Sequence, residues 1–257
     1  MRIASWNVNS IRARRDRVEQ WVRKHQPDVL LLQETKCNDE MFHSAEGLGS
    51  LEGEYEIAHH GFDHWNGVAI LSRVEMEGVQ RGFSGVNRPP YHEARLITAV
   101  CGGVKVMSLY APNGRELDDP HYQYKLVWFE RLRAEIAAGH HDLVAGDFNV
   151  APADADIYDP VRWRRRTHAS PPERAAIDAL VDLDLEDVTR SHLPDPGVFT
   201  WWSYRPGQFE RNHGLRIDLA LSRPETAARI DRVWIDTHER GEHRPSDHAP
   251  LVLDLHQ

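Results

Sequence analysis

Cysteine is nearly absent. The 257 residues hold only Cys37 and Cys101 and no CxxC pair, which excludes a disulfide framework and a thiolate zinc centre. No HExxH segment occurs either, although 16 histidines leave isolated metal binding open. Positive charge is in deficit: 31 Lys and Arg against 40 Asp and Glu give −9, which argues against a nucleic-acid partner held by bulk basicity. A carboxylate cluster holding divalent cations would, however, make a chain acidic while offering positive charge to a phosphate. No apolar run reaches transmembrane length, and Met1-Arg2-Ile3 leads into strand-like sequence without an apolar leader. The expectation is a soluble, cytoplasmic protein with no membrane partner. Repeats, low-complexity tracts and linkers are lacking too, so one domain over residues 1–257 is expected.

What is present is a globular mixture: 40% hydrophobic, 28% charged, with 8 Trp, 7 Tyr and 7 Phe. Short apolar runs bounded by turn residues predict strands over Ile3–Val8, Val29–Leu32, Gly67–Leu71, Arg95–Val100, Val104–Tyr110, Leu143–Ala145, Ile217–Leu221 and Leu251–Leu255. Helical spacing predicts a helix from Ser10 to His25 with Ile11, Val18, Trp21 and Val22 on one face. A second is expected over Gln123–Ala138 through Trp128, Leu132 and Ile136. Ser170, Pro171 and Glu173 form a capping box for a third, with Ile177, Leu180 and Val181 as its apolar face. Strands interspersed with helices predict a layered α/β or α+β architecture. The pairs His59-His60 and His140-His141 read as exposed loop residues.

The apolar runs repeatedly end in carboxamides or carboxylates. Asn7 and Asn9 follow Ile3, Gln33 and Glu34 follow Leu32, Asp147 and Asn149 follow Ala145, Asp218 lies inside a run, and Asp247-His248 precedes Leu251. Residues two apart on a strand share a face, so each Asx pair can present two polar groups to one place. Singly, such residues are ordinary turn formers. Together, Glu34, Asp147, Asp218 and Asp247 supply the oxygen ligands a hard cation such as Mg2+ takes, and His248 adds an imidazole for a phosphoryl oxygen.

These segments resemble the exonuclease III family of abasic-site (AP) endonucleases, within the endonuclease/exonuclease/phosphatase superfamily of DNase I-like fold. The matching motifs are Trp6 to Arg14, Pro27 to Lys36, Tyr110-Ala111-Pro112-Asn113, Gly146-Asp147-Phe148-Asn149, Asn212 to Ser222 and Ser246 to Pro250. They run in family order along essentially the whole chain. Two segments depart from the pattern: Ser10 stands where the family commonly has Gly, and Asp187-Val188-Thr189-Arg190 matches only loosely.

The resemblance implies a four-layer α/β (α+β) sandwich, two packed mixed β-sheets flanked by helices. It implies a metal-dependent DNA phosphodiesterase of base-excision repair, using Mg2+ or Mn2+, that cuts 5′ to abasic sites and removes nucleotides or blocking groups from 3′ ends. Carried over residue by residue, Glu34 binds the metal with Asn9 and Asp247 assisting. Asp147 activates the attacking water or protonates the leaving oxygen, and His248, oriented by Asp218, contacts the phosphate. Asn7, Tyr110, Asn113 and Asn149 donate hydrogen bonds to phosphate oxygens or orient the water. Trp201, Leu215 and Ile217 form an apolar pocket for a flipped-out deoxyribose.

The partner implied is double-stranded DNA bearing abasic sites or 3′ ends, engaged by a monomer. Arg115 and the run Arg162, Arg164, Arg165 and Arg166 are the candidates for phosphate contacts, with Arg12, Arg14, Arg15 and Arg17 as a second basic cluster; a charge run can equally be a solvated face. Two other functions compete: a superfamily phosphatase acting on a small phosphorylated molecule, and an inactive DNA-binding module. The segment Leu215 to Ser222 and the Trp201-Trp202 pair argue against the first. The intact set of Glu34, Asp147, Asn149, Asp218, Asp247 and His248 argues against the second.

Overall fold

The computed structural model describes residues 1–85 and 93–256. Within them fourteen strands follow in chain order: β1 Arg2–Asn7, β2 Val29–Gln33, β3 Glu56–His60, β4 Val68–Ser72, β5 Met76–Arg81, β6 Leu96–Cys101, β7 Val104–Tyr110, β8 Leu143–Asp147, β9 Glu186–Asp187, β10 Trp201–Trp202, β11 Gly214–Leu215, β12 Asp218–Ser222, β13 Ile230–Ile235 and β14 Leu251–Leu255. They build two six-stranded sheets, β13-β14-β1-β2-β4-β3 and β5-β6-β7-β8-β12-β9, with β10 and β11 as a separate ribbon. Each large sheet has one parallel pair, β1 with β2 and β7 with β8, among antiparallel neighbours. A parallel pair needs a crossover, and the helices Ile11–His25 and Pro120–Gly139 supply the two.

The sheets share a core. Ile3, Leu31, Val68 and Ile70 of one pack with Ile97, Val106, Ala145 and Ala220 of the other. The opposite face of the first sheet is covered by Ile11, Val18, Trp21 and Val22, the face expected for the first helix. The opposite face of the second lies under Trp128, Phe129, Leu132, Ile177 and Leu180. A sheet buried on both faces explains why Val29 to Leu32 is a continuous apolar run. Within β8, Gly146 sits at φ 149, and a Cβ there would lie 2.0 Å from the Leu109 carbonyl oxygen, so β7 and β8 approach as closely as they do only around a glycine.

The second helix starts at Pro120 behind an Asp119 cap, three residues before the expected start. The Ser170–Glu173 capping box is present, but Val181 is 39% exposed and does not belong to the buried face. Among the longer strands, β3, β5 and β13 escape the sequence patterns. All three lie at sheet edges, where one side faces water and the apolar alternation fades, as in Met76–Arg81 with its exposed Glu77 and Gly78. His59 is a correction of the same origin. It lies on β3, fully buried, with Nε2 2.8 Å from Thr35 Oγ1 and Nδ1 2.7 Å from Asp39 Oδ1. His141 is also buried, at 2% exposure. Among the described residues no helix is long and apolar enough to cross a membrane.

Candidate active site

The parallel pairs end at the same edge of the sandwich. In register, Asn7 pairs with Gln33 and Tyr110 with Asp147, while β12 enters antiparallel beside β8 and sets Asp218 opposite Asp147. Glu34 and Asn149 lie just beyond their strands in left-handed backbone conformations, φ 52 and 53, as does Asn9 at 44. Backbone of this kind is held against its sterics by surrounding contacts and concentrates at functional sites. Ser10, at φ 92, occupies a region glycine enters freely, in keeping with the Gly that the family resemblance leads one to expect at this place. Below the edge, the buried Gln33 amide reaches Ser5 Oγ of one sheet and Ser108 Oγ of the other, tying the two walls together. The segment before β14 is anchored by Ser246 Oγ donating to the Asn7 carbonyl and by Trp6 Nε1 donating to the His248 carbonyl.

Asp147 is the hub. It accepts from Asn149 N at 2.8 Å, from Asn149 Nδ2 at 3.2 Å and from Asn7 Nδ2 at 2.9 Å; the same Asn7 amide also donates to Glu34 Oε1 at 2.9 Å. His248 Nδ1 lies 2.8 Å from Asp218 Oδ2, and its Nε2 lies 3.7 Å from Asp147 Oδ2. Burial, then the charges of Asp218 and Glu34, push the Asp147 carboxyl up to about 7 against the opposing pull of His248. Burial alone would depress His248, but Asp218 and Asp147 overcome it and raise the imidazole to about 10. Burial, reinforced by the Glu34 charge, pushes the Tyr110 hydroxyl well above its ordinary value, so it is a neutral donor. The cluster therefore offers a fixed imidazolium beside a carboxyl poised to take or give a proton near neutrality.

Three expected amide donors are already committed. An amide nitrogen has two protons: those of Asn7 go to Glu34 and Asp147, and those of Asn149 go to the Ala111 carbonyl and Asp147. They orient the carboxylates rather than face outward. Asn113 is turned toward Asn149 Oδ1 at 3.2 Å and toward His168 Nε2 at 3.3 Å. His168 is a site residue the motifs did not flag; it is 9% exposed, its Nδ1 has no partner among the described residues, and burial with the nearby Lys125 charge pushes it down to about 3.

Glu34, Asp147 and His248 place ligand atoms within 4.8 Å of one another. The donor chemistry favours a hard cation on the Glu34 side, since the imidazolium of His248 offers no lone pair. An ammonium already sits there: Lys36 Nζ is 2.7 Å from Glu34 Oε2 and 2.5 Å from Asn9 Oδ1, so these two oxygens converge on a positive charge. Asp247 accepts from Asn9 Nδ2 and from Trp201 Nε1, each at 3.0 Å. Burial would raise its carboxyl, but the His248 charge and these bonds hold it below the usual range, so it stays an anion beside the Glu34–Asn9 pair.

The residues expected to line an apolar pocket are packed together. Leu215 and Ile217 are 0% and 2% exposed, buried with Ala151, Ile157 and Ala169, and Trp163 and Trp201 pack against them. Above this floor lies a polar cavity of about 220 Å³ whose lining includes Tyr158, Arg162, Trp163, Arg166 and Trp201. Arg164 and Arg165 are exposed beside it. Arg115 is exposed at φ 59, 3.8 Å from Asp119. In the other basic cluster, Arg14 is bound to the Asn9 carbonyl and Tyr204 and Arg17 to Glu239. The loosely matching segment is structural: Asp187 binds Arg216, and Arg190 pairs with Asp156, which Arg216 also holds.

With this geometry in place, residues 4–248 match the model of the Endonuclease/Exonuclease/phosphatase family. The chain belongs to that family. Its relatives include the exodeoxyribonuclease III of Haemophilus influenzae, 35% identical over 99% of this chain and 100% of that protein. The DNA repair nuclease APEX1 of Danio rerio is 29% identical over 99% and 82%. Among solved structures, a Neisseria 3′ phosphatase, NExo, bound to a product DNA hairpin superposes with a TM-score of 0.94 at 37% identity, covering both chains fully. An AP endonuclease from Archaeoglobus fulgidus does so at 0.93 and 34%, again over both whole chains. The family fold is thus the two mixed six-stranded sheets flanked by helices described above.

Proposed function

We infer that the chain is a DNA-repair nuclease that hydrolyses phosphodiester and 3′-phosphate ester bonds. The observation that carries the reading is the Asp218–His248–Asp147 array beside Glu34, all at one sandwich edge. Full-length similarity to exodeoxyribonuclease III and to a 3′ phosphatase holding product DNA supports it.

In-line attack on a phosphorus centre builds negative charge on the phosphoryl oxygens and the leaving group. The His248 imidazolium, its Nδ1 proton held by Asp218, stabilises that charge through Nε2. Asp147 moves the proton: ionised, it takes one from the attacking water; protonated, it gives one to the departing oxygen. Asn7 and Asn149 keep its carboxylate in one orientation for either task, and the neutral Tyr110 hydroxyl donates to the phosphate. Glu34 and Asn9, with Asp247 beside them, would hold Mg2+ or Mn2+, which when bound supplies Lewis-acid stabilisation of the same charge. Lys36 must then leave the Glu34–Asn9 pair.

The likeness to a 3′ phosphatase over both whole chains favours 3′-end processing as the leading activity. Cleavage at abasic sites is the second reading, favoured by the likeness to the Archaeoglobus AP endonuclease. The test is the purified protein on duplexes carrying a 3′-phosphate or an abasic analogue. Activity is expected with Mg2+, lost in EDTA and restored by added Mg2+. Undiminished cleavage in excess EDTA would defeat the metal assignment, and no hydrolysis of either duplex would defeat the nuclease reading.

A further inference from the structure

Lys125 stands on the buried face of the helix Pro120–Gly139, between Tyr122 and Trp128, where the helical pattern calls for an apolar side chain. It is 0% exposed. Its Nζ donates to Glu173 Oε1 at 2.5 Å, to the Asn149 carbonyl at 2.7 Å and to the Asn113 carbonyl at 3.2 Å, which uses all three ammonium protons. Glu173 is equally full. Besides Lys125, its Oε1 accepts from Thr167 Oγ1 at 2.8 Å and His168 N at 2.9 Å, while Oε2 takes the Ser170 amide and hydroxyl at 3.1 and 2.6 Å. Thr167 Oγ1 also lies 3.0 Å from the Asn113 carbonyl. One buried ion pair thus gathers the loop after β7, the loop after β8 and the turn entering the helix Pro171–Val181.

Each gathered segment carries a site residue. Asn149 and His168 are both left-handed, φ 53 and 78, and conformations of that kind persist only where neighbours over-determine them. Asn149 N in turn donates to Asp147 Oδ1. A buried ion pair is often no more stabilising than apolar residues of similar volume, and its better-attested use is to fix one geometry. We propose that Lys125 and Glu173 form a positioning clamp that sets Asn113, Asn149 and His168 against Asp147, and so governs turnover rather than DNA affinity. This rests on the nuclease reading of the same site.

The test compares Lys125→Met, the double variant Lys125→Met/Glu173→Gln and Thr167→Val with wild type, reading kcat and KM on a 3′-phosphate duplex in saturating Mg2+, and Tm. Lys125→Met strands a buried carboxylate and lowers Tm. The double variant removes both charges, leaves an amide carbonyl to accept from Thr167 and His168 while its NH2 faces the Ser170 amide, and recovers part of that Tm. Its kcat should remain at least about tenfold below wild type with KM within about threefold, as expected when reacting groups are misplaced but binding is kept. If kcat returns together with Tm, the pair is only structural and the proposal is overturned. Thr167→Val, isosteric and mild, decides the matter where the double variant does not fold: a several-fold fall in kcat at unchanged KM supports the clamp, and wild-type kcat overturns it. An inactive wild-type protein would overturn the nuclease reading and the clamp with it; an active one with unaffected variants overturns the clamp alone.

Discussion

Two clusters of buried charge lie side by side in the sandwich and behave in opposite ways. Around Arg216, two carboxylates, Asp156 and Asp187, meet two guanidinium groups, Arg190 and Arg216. Burial would raise Asp156, but its bonds to Arg216 and Arg190 outweigh it and hold the carboxyl below its ordinary range. At the site edge, the cations in close contact with Glu34, Asp147 and Asp218 among the described residues are Lys36 and His248, with Asp247 beside them. Burial and the uncompensated carboxylates raise Asp147 to about 7 instead. The balanced cluster is architecture; the unbalanced one leaves negative charge that a cation can neutralise and a carboxyl whose proton is mobile at working pH.

The sharpest way to break the contrast is to delete the reactive groups. Asp147→Asn and His248→Ala should each lower kcat about 100- to 10,000-fold, the span of general acid–base and electrostatic contributions, while circular dichroism and Tm show the fold retained. Near wild-type turnover in either folded variant would remove its assigned role. The balanced cluster should respond in the reverse sense. Arg216→Met strands Asp187 and leaves Asp156 with Arg190 alone, and should cost about 3–5 kcal/mol of stability by urea unfolding, as for one partner removed from a buried pair, so a variant as stable as wild type would show the network to be dispensable.

The raised imidazole gives a signed pH dependence. His248 binds its proton more tightly folded than unfolded, so its stabilising contribution is fully present below pH 6.5 and is lost as pH rises through about 10. The Tm difference between wild type and Asp218→Asn, in metal-free buffer, should therefore be large at pH 6 and shrink toward pH 10. A difference that does not change with pH would mean that His248 is neutral throughout.

At the surface, replacing Arg164, Arg165 and Arg166 by Ser should flatten the dependence of log DNA affinity on log salt by up to about one unit for each phosphate no longer neutralised, with kcat unchanged; an unaltered slope would return them to the solvated surface. The smallest effect expected is at Ser10. Relief of its φ of 92 by Ser10→Gly should add on the order of 1 kcal/mol of stability, read as a rise in Tm, and no rise would show the strain to be compensated locally.

The reactive residues were legible because chemistry restricts them: Glu34 and Asp147 stand where apolar runs stop, Asp218 interrupts one and Asp247-His248 precedes one, and the structure brings them to one edge. The central strands were legible for a related reason, since burial on both faces leaves long apolar runs such as Val29 to Leu32. The edge strands were not, because half their surface is wet. Side chains acting over long sequence distances also escaped. Glu173 announced itself as a helix cap, but its bond to Lys125, 48 residues away, has no local signature, and His59 looked like a loop residue because Asp39 and Thr35 reach it from outside its own strand. Leu215 and Ile217 were expected beside Trp201, but their packing with Ala169 and Trp163, far off in sequence, shows only in three dimensions.

The pairing of β1 between β14 and β2 has a consequence for biosynthesis. Arg2 lies opposite Asp254, and Ser5 opposite Leu251, so β1 waits for the far later β14. Pairings of such sequence separation form slowly, after the loop between them has been closed. Asn7 is translated early and His248 late, and Ser246, which ties them through the Asn7 carbonyl, follows 239 residues behind its acceptor. A ribosome-bound fragment stopping before Ser246 lacks the imidazole, the Asp247 carboxylate and a flank of the first sheet at once.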